Sequence, residues 1–210
     1  MSNKRRQQKT TLFYRQKASR KANQWQLDLA DFSRYRTQNK NFRYLLVAVN
    51  VYSRYLFLWP LKSKSKTYEG IDELAQTHQV KRILADQGSE FKGSNMRRVL
   101  KKHDISLTMN PLPGKKNRTG MVERNIRTIR ENLRTFMYAT RSLNWVKYIP
   151  DVQDLMNHRE MKVLNGLSPH EVHVLKKDYK QMPHYINTKP KTKKLTSFKN
   201  RSRILPNLEV

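Results

Sequence analysis

The run Arg43–Tyr52, RYLLVAVNVY, constrains the fold more than any other stretch, being apolar and largely β-branched at almost every position. A strand with one wet face alternates polar and apolar residues; a strand covered on both faces does not. This run therefore predicts a central strand with a packed layer on each side. Trp25–Phe32, WQLDLADF, reads as a shorter strand before it, and Arg54–Leu61, RYLFLWPL, as a third, with Pro60 at its end or on a sheet edge. The connections are short enough to make the three an antiparallel meander.

The pattern then changes period. A helix is expected over Thr67–His78, a short buried strand over Val80–Ala85, a helix over Ser94–His103 with Ser94 as its N-cap, and a fifth strand over Ile105–Asn110. Pro111, Pro113 and Gly114 end that strand. Beyond them the apolar residues Val122, Ile126, Ile129, Leu133 and Met137 recur at helical spacing. Trp145–Arg159 reads as mostly helical with a break or kink at Pro150, and Ser168-Pro169 opens a last helix running to about Lys180. The order βββ-α-β-α-β-α-α-α predicts an α/β domain with a five-stranded mixed sheet flanked by helices. In it the first and fourth strands can lie side by side.

Charge limits the partners. The chain has 44 Lys and Arg against 16 Asp and Glu, a net +28, and no cysteine. Residues 1–24 hold eight basic residues and no acid, and residues 187–203 hold seven and no acid, yet the stretch between remains strongly basic. A phosphate backbone is the expected counter-charge. Without cysteine there are no disulfides and no Cys-containing zinc sites. No apolar run approaches the roughly 18 residues a membrane helix needs, and the first ten residues lack a hydrophobic signal region. Membranes and secretion are not expected.

In so basic a chain the few acids stand out. Asp28 sits mid-strand, where an unpartnered buried carboxylate costs several kcal/mol. Asp86 falls at the carboxyl end of the fourth strand, and Glu123 in the first turn of the helix that follows a basic, glycine-punctuated loop. Singly each has an ordinary explanation: an edge strand, a turn, an intrahelical ion pair. Together, with the first and fourth strands adjacent, they form a set of hard oxygen ligands suited to one or two Mg²⁺ or Mn²⁺ ions. Arg127, Arg130 and Arg134 follow Glu123 on one face of the helix.

The stretches WQLDLADF, ILADQGSEF and GMVERNIRTIR resemble the three acidic motifs of the retroviral-type integrase core, the D,D,E transposases of the ribonuclease-H-like superfamily. Fifty-seven residues separate Asp28 from Asp86 and 36 separate Asp86 from Glu123, the second spacing one residue longer than the family's usual one. The extra residue is assigned to the Pro113–Thr119 loop. YLLVAVNVYSRYLFLWPLKSK is similar to the second and third strands of such cores, and GLSPHEV to a late turn in them. The likeness spans Gln24 to Val172, and its Asp-x-Gly-Ser-Glu-Phe form is closer to Maverick/Polinton and retrotransposon enzymes than to bacterial insertion-sequence transposases.

The resemblance implies 3′-end processing and strand transfer of mobile-element or viral DNA by two metal ions, with Asp28 bridging both and Asp86 and Glu123 completing one each. It places Lys115, Lys116, Asn117 and Arg118 over the scissile phosphate, and Arg124, Arg127, Arg130 and Arg134 along DNA. It implies a homo-oligomer, a nuclear, viral-particle or cytoplasmic location, and no small-molecule cofactor. The expected organisation is a basic arm (1–22, with a short helix over Thr11–Lys17), a catalytic core (23–165), a C-terminal helix (166–182) and a basic tail (183–210). Its ILPNLEV could open a DNA-binding barrel.

Other residues are assigned lesser roles. Asp31 points to the opposite strand face from Asp28, Glu90 is structural or touches DNA, and His170 and His173 are surface residues. Two alternatives stand beside the joining reaction. One is a non-catalytic nucleic-acid-binding protein that stacks bases on aromatics such as Tyr14, Tyr35 and Phe42. The other is a ribonuclease-H-like nuclease that only cleaves.

Overall fold

The computed structural model describes residues 18–109 and 120–178. The expected helix over Thr11–Lys17, the loop residues Lys115, Lys116, Asn117 and Arg118, Tyr14, and the tail 183–210 lie outside the described residues.

Five strands form one mixed sheet in the order β3-β2-β1-β4-β5. They are β1 (Gln24–Asp31), β2 (Tyr44–Asn50), β3 (Leu56–Leu61), β4 (Arg82–Ala85) and β5 (Ser106–Met109). The first three are antiparallel neighbours, β4 runs parallel to β1, and β5 parallel to β4. The run that predicted a doubly covered strand is β2, buried at every position from Leu45 to Asn50. Its alternate residues enter two different cores. Leu45, Val47 and Val49 pack under α3 (Gly120–Ala139) and α4 (Ile149–His158); Leu46 and Ala48 pack under α1 (Thr67–Thr77) and α2 (Ser94–Lys102). Gly70 lets α1 lie close: a Cβ there would stand 2.7 Å from Leu46 Cδ2 and 2.9 Å from Trp59 Cδ1.

The edge strand β3, which carries Pro60, is closed by α4 rather than by another strand. The Leu56 N–H donates to Asn157 Oδ1 (2.8 Å), Asn157 Nδ2 donates to the Leu56 carbonyl (2.8 Å), and the Leu58 N–H donates to Gln153 Oε1 (2.7 Å). Gln153 and Asn157 are one helical turn apart, so a single helix face satisfies an edge that would otherwise pair with another chain.

Three expectations are corrected. Gly93, not Ser94, caps α2. Pro150 does not kink a longer helix: a 3₁₀ turn over Trp145–Tyr148 precedes it and Pro150 opens α4, where its missing N–H costs nothing. The C-terminal helix α5 covers only Pro169–His173. Its start is a capping box, with the Glu171 N–H donating to Ser168 Oγ (3.2 Å) and the Ser168 N–H to Glu171 Oε2 (2.8 Å). It stops within two turns, and Lys176, at φ 56°, turns the chain away.

Candidate active site

The site forms where β1, β4 and α3 meet. Leu27 of β1 stands opposite Ala85 of β4, both facing the α1–α2 core, so the next residue along each path is an aspartate, Asp28 and Asp86. On β1, Gln26, Asp28 and Ala30 share the face turned toward α3. Gln26 is 4% exposed, and its Oε1 accepts the N–H of Met121 (3.2 Å) and of Val122 (3.3 Å), two donors a helix start leaves without intrahelical partners. The first turn of α3, with Glu123 in it, is thereby tied to the strand position two residues before Asp28. From there α3 runs along β1, with all five stripe residues from Val122 to Met137 buried.

The electrostatics follow this geometry. Burial pushes the Asp28 carboxyl up to about 6, and the charges of Asp86, Glu123 and Glu90 push the same way; the Leu29 N–H, which donates to Asp28 Oδ1 (2.7 Å), opposes them. Asp28 therefore feels three other carboxylates in a basic protein. Among the described residues no three Asp, Glu or His side chains converge closely enough to hold a metal ion as they stand. The donor chemistry nevertheless fits a hard divalent cation: all oxygen, and mutually repelling in a way that a cation relieves.

Glu90, expected from the sequence to be structural or to touch DNA, adds its charge to those acting on Asp28. Its carboxylate folds back over Gly88, so closely that a Cβ at 88 would lie 2.3 Å from it. Asp31 is exposed and is not among the charges that raise Asp28. Burial opposes its ionisation, but Ser33, which donates its N–H to Asp31 Oδ1 (2.7 Å), together with Lys64 and Arg130, holds its carboxyl below the usual value.

Along α3, Glu123, Ile126, Arg127, Arg130, Glu131 and Arg134 line an open groove of about 260 Å³. Arg124 is exposed but lies about 100° round the helix from Glu123 and outside that groove.

These elements are those of a known domain. Residues 18–112 match the family described as "Integrase core domain". The chain carries an integrase core domain. The matched segment includes Asp28 and Asp86 and ends before Glu123. An uncharacterized transposon-derived protein of Caenorhabditis elegans is 30% identical over 151 residues, covering 70% of this chain and 51% of that protein. The chain thus spans about half the length of this curated relative. Among solved structures, the catalytic core domain of BIV integrase superposes with a TM-score of 0.57 at 18% identity, over 74% of this chain and 95% of that one, and so shares the ribonuclease-H-like fold.

Two further expectations of this integrase core are corrected. His173 is not a surface residue. It stacks on Tyr55 (ring centroids 4.5 Å), meets Trp25 edge-on, lies 3.3 Å from His78 (Nε2 to Nδ1), and has Ser53 Oγ 3.1 Å from its Nδ1. Burial, then the neighbouring His78, Lys176 and His170, depresses it to about 3. Its work is to dock α5 onto the start of β1. His170 instead meets His158 at a tilt, with ring centroids 4.4 Å apart. Tyr35 and Phe42, offered as base-stacking residues, pack against the α3–α4 core.

Proposed function

We propose that this integrase core is a DNA-joining enzyme that processes a DNA 3′ end and transfers it into a target duplex, with Asp28, Asp86 and Glu123 as its acidic set. The observation that carries the reading is the raised carboxyl of Asp28. Asp86 and Glu123, the two acids that the family motifs pair with it, are among the charges that raise it. Asp28, Asp86 and Glu123 would hold a divalent cation, which would supply charge neutralisation and activation of water or a DNA 3′-hydroxyl for in-line attack on a phosphodiester.

The chain's own residues do the rest. Asp28 holds a carboxylate in a half-buried position that excludes most water, fixed by the Leu29 N–H. Glu123 rides on the first turn of α3, where the helix's positive end moderates the repulsion among the acids. Arg127, Arg130 and Arg134, with Arg124 beside them, bind DNA backbone and orient it past the acids. Lys115, Lys116, Asn117 and Arg118 are assigned to the scissile phosphate. Because joining brings two DNAs together, the working form is at least a dimer, in the nucleus or a viral particle if the host is eukaryotic and in the cytoplasm otherwise.

The test is a joining assay with the full chain, Mn²⁺ and labelled duplex oligonucleotides, wild type beside Glu123→Gln. Wild type should give products longer than the input, and the variant none. Equal joining by both sinks the proposal. Glu123-dependent cleavage without joining points to the nuclease reading. A second reading, a protein that only binds DNA, is favoured by the unconverged acids; it predicts salt-sensitive binding with neither activity.

A further inference from the structure

The 37 residues from 32 to 68 contain eight Lys and Arg and not one Asp or Glu. They include two connections at the same end of the sheet. One is the loop from Phe32 to Arg43 between β1 and β2; the other, Lys62–Lys66, joins β3 to α1. Both are at one end because the register sets Asp31 opposite Tyr44, and Tyr44 opposite Leu61.

The longer loop is rigidly mounted. Asn39, 2% exposed, donates from Nδ2 to the carbonyls of Tyr35 (2.7 Å) and Leu143 (2.9 Å) and accepts the Val146 N–H on Oδ1 (3.1 Å). One of these bonds closes the loop on itself, and the other two fasten it to the chain between α3 and α4. Phe32 stacks on Trp145 beneath it at 4.6 Å. The cations stay outside: Arg34, Arg36, Lys40, Arg43, Lys62 and Lys64 are all exposed, and among the described residues none forms an ion pair. Three are steered by rings rather than by carboxylates. Arg34 lies over Tyr35 (5.0 Å), Lys62 over Phe42 (5.4 Å) and Lys64 over Tyr44 (5.4 Å). On α1, by contrast, Asp72 is paired with Lys102 and His103, and Glu69 with Lys66.

This platform adjoins the C-terminal end of α3: Asn39 bonds the Leu143 carbonyl just past that helix, and Tyr35 and Phe42 pack on the core that the buried stripe of α3 enters. From Glu123 to Arg134 the helix covers only about 16 Å, roughly half the 34 Å of one duplex turn. A duplex lying on α3 would extend past that end of the helix, toward the loop.

We propose that the 32–43 loop and Lys62–Lys66 form a second duplex-DNA backbone surface, continuous with the arginine face of α3 and independent of base sequence. The direction of the duplex rests on the reading of α3 given above; binding to the platform does not require that any joining occur.

The experiment titrates a fluorescent 30-base-pair duplex with the full chain across a salt series. A platform variant (Arg34→Gln, Lys62→Gln, Lys64→Gln) is compared with a control of equal charge change on the α4–α5 side (Arg159→Gln, Lys162→Gln, Lys176→Gln), melting curves confirming that both fold. The platform variant should bind about tenfold or more weakly near 0.15 M salt, and the slope of log K against log salt should shrink by about 2 to 3, close to one per lost phosphate contact. The control should change binding less than about threefold. Equal losses in the two variants would reduce the effect to net charge and overturn the proposal. So would a loss confined to single-stranded RNA competitors, or no loss at all. Glu123→Gln is run alongside: if it joins DNA as wild type does, the catalytic reading fails while the platform result stands on its own.

Discussion

Replacing Asp28 by Asn should make the metal-free protein more stable, and the gain should depend on pH in a defined way. The carboxyl is displaced from 3.8 to about 6, chiefly by burial and next by Asp86, Glu123 and Glu90. A raised carboxyl means that the folded state holds its proton longer than the unfolded state, so stability falls as pH rises from 3.8 through 6 and the whole penalty is present above 6. The full displacement corresponds to about 3 kcal/mol; solvent screening at a half-buried site reduces this to roughly 1–2 kcal/mol. Asn keeps an Oδ1 for the Leu29 N–H, so the substitution removes the charge and little else. In urea titrations with chelator, Asp28→Asn should gain about 1–2 kcal/mol at pH 7.5, about a third of that at pH 4.5, and nothing below the unfolded value. Added Mn²⁺ should then narrow or reverse the difference, since only wild type keeps the full donor set. An Asn variant that is destabilised, or whose gain is the same at both pH values, would refute the reasoning.

Other outcomes follow from single contacts. Gln26→Met keeps the volume but removes the oxygen that holds the Met121 and Val122 amides; these two should exchange at least about tenfold faster by hydrogen exchange, whereas Gln26→Glu should retain their protection. Asn157→Ala leaves the Leu56 N–H and carbonyl unsatisfied at the sheet edge and should cost about 2–4 kcal/mol by denaturant titration. His173, held neutral by burial, favours the folded state above the ordinary histidine value and loses that contribution as pH falls from 6.5 toward 3. His173→Phe, which keeps a ring against Tyr55, should therefore flatten the fall in stability between pH 7 and pH 5, and an unchanged slope would show that other groups set it.

What the sequence made legible is what local pattern encodes. The doubly apolar Leu45–Asn50 run, the mid-strand acid, the buried stripe of α3 and the basic balance each follow from residue type and spacing, and the adjacency of β1 and β4 follows from element order. What escaped depends on partners distant in sequence. Asn39, Gln153 and Asn157 read as ordinary polar residues until the fold brings them to backbone groups about a hundred positions away. Gln26 did carry a signal: it alternates in phase with Asp28 and so had to point into the layer that α3 occupies. His173 escaped because its packing against Tyr55, Trp25 and His78 is decided by the fold and not by a local motif. The length of α5 was overstated because nothing in VLKKD announces the left-handed turn at Lys176.

The central claim, that Asp28, Asp86 and Glu123 act as one cation-binding set, is tested most directly by titrating Mn²⁺ into the full chain and counting bound ion by electron paramagnetic resonance. Wild type is measured beside Asp28→Asn, Asp86→Asn and Glu123→Gln. The account predicts saturable binding in wild type, abolished by Asp28→Asn and weakened at least tenfold by each of the other two. Equal binding by all four proteins would contradict it.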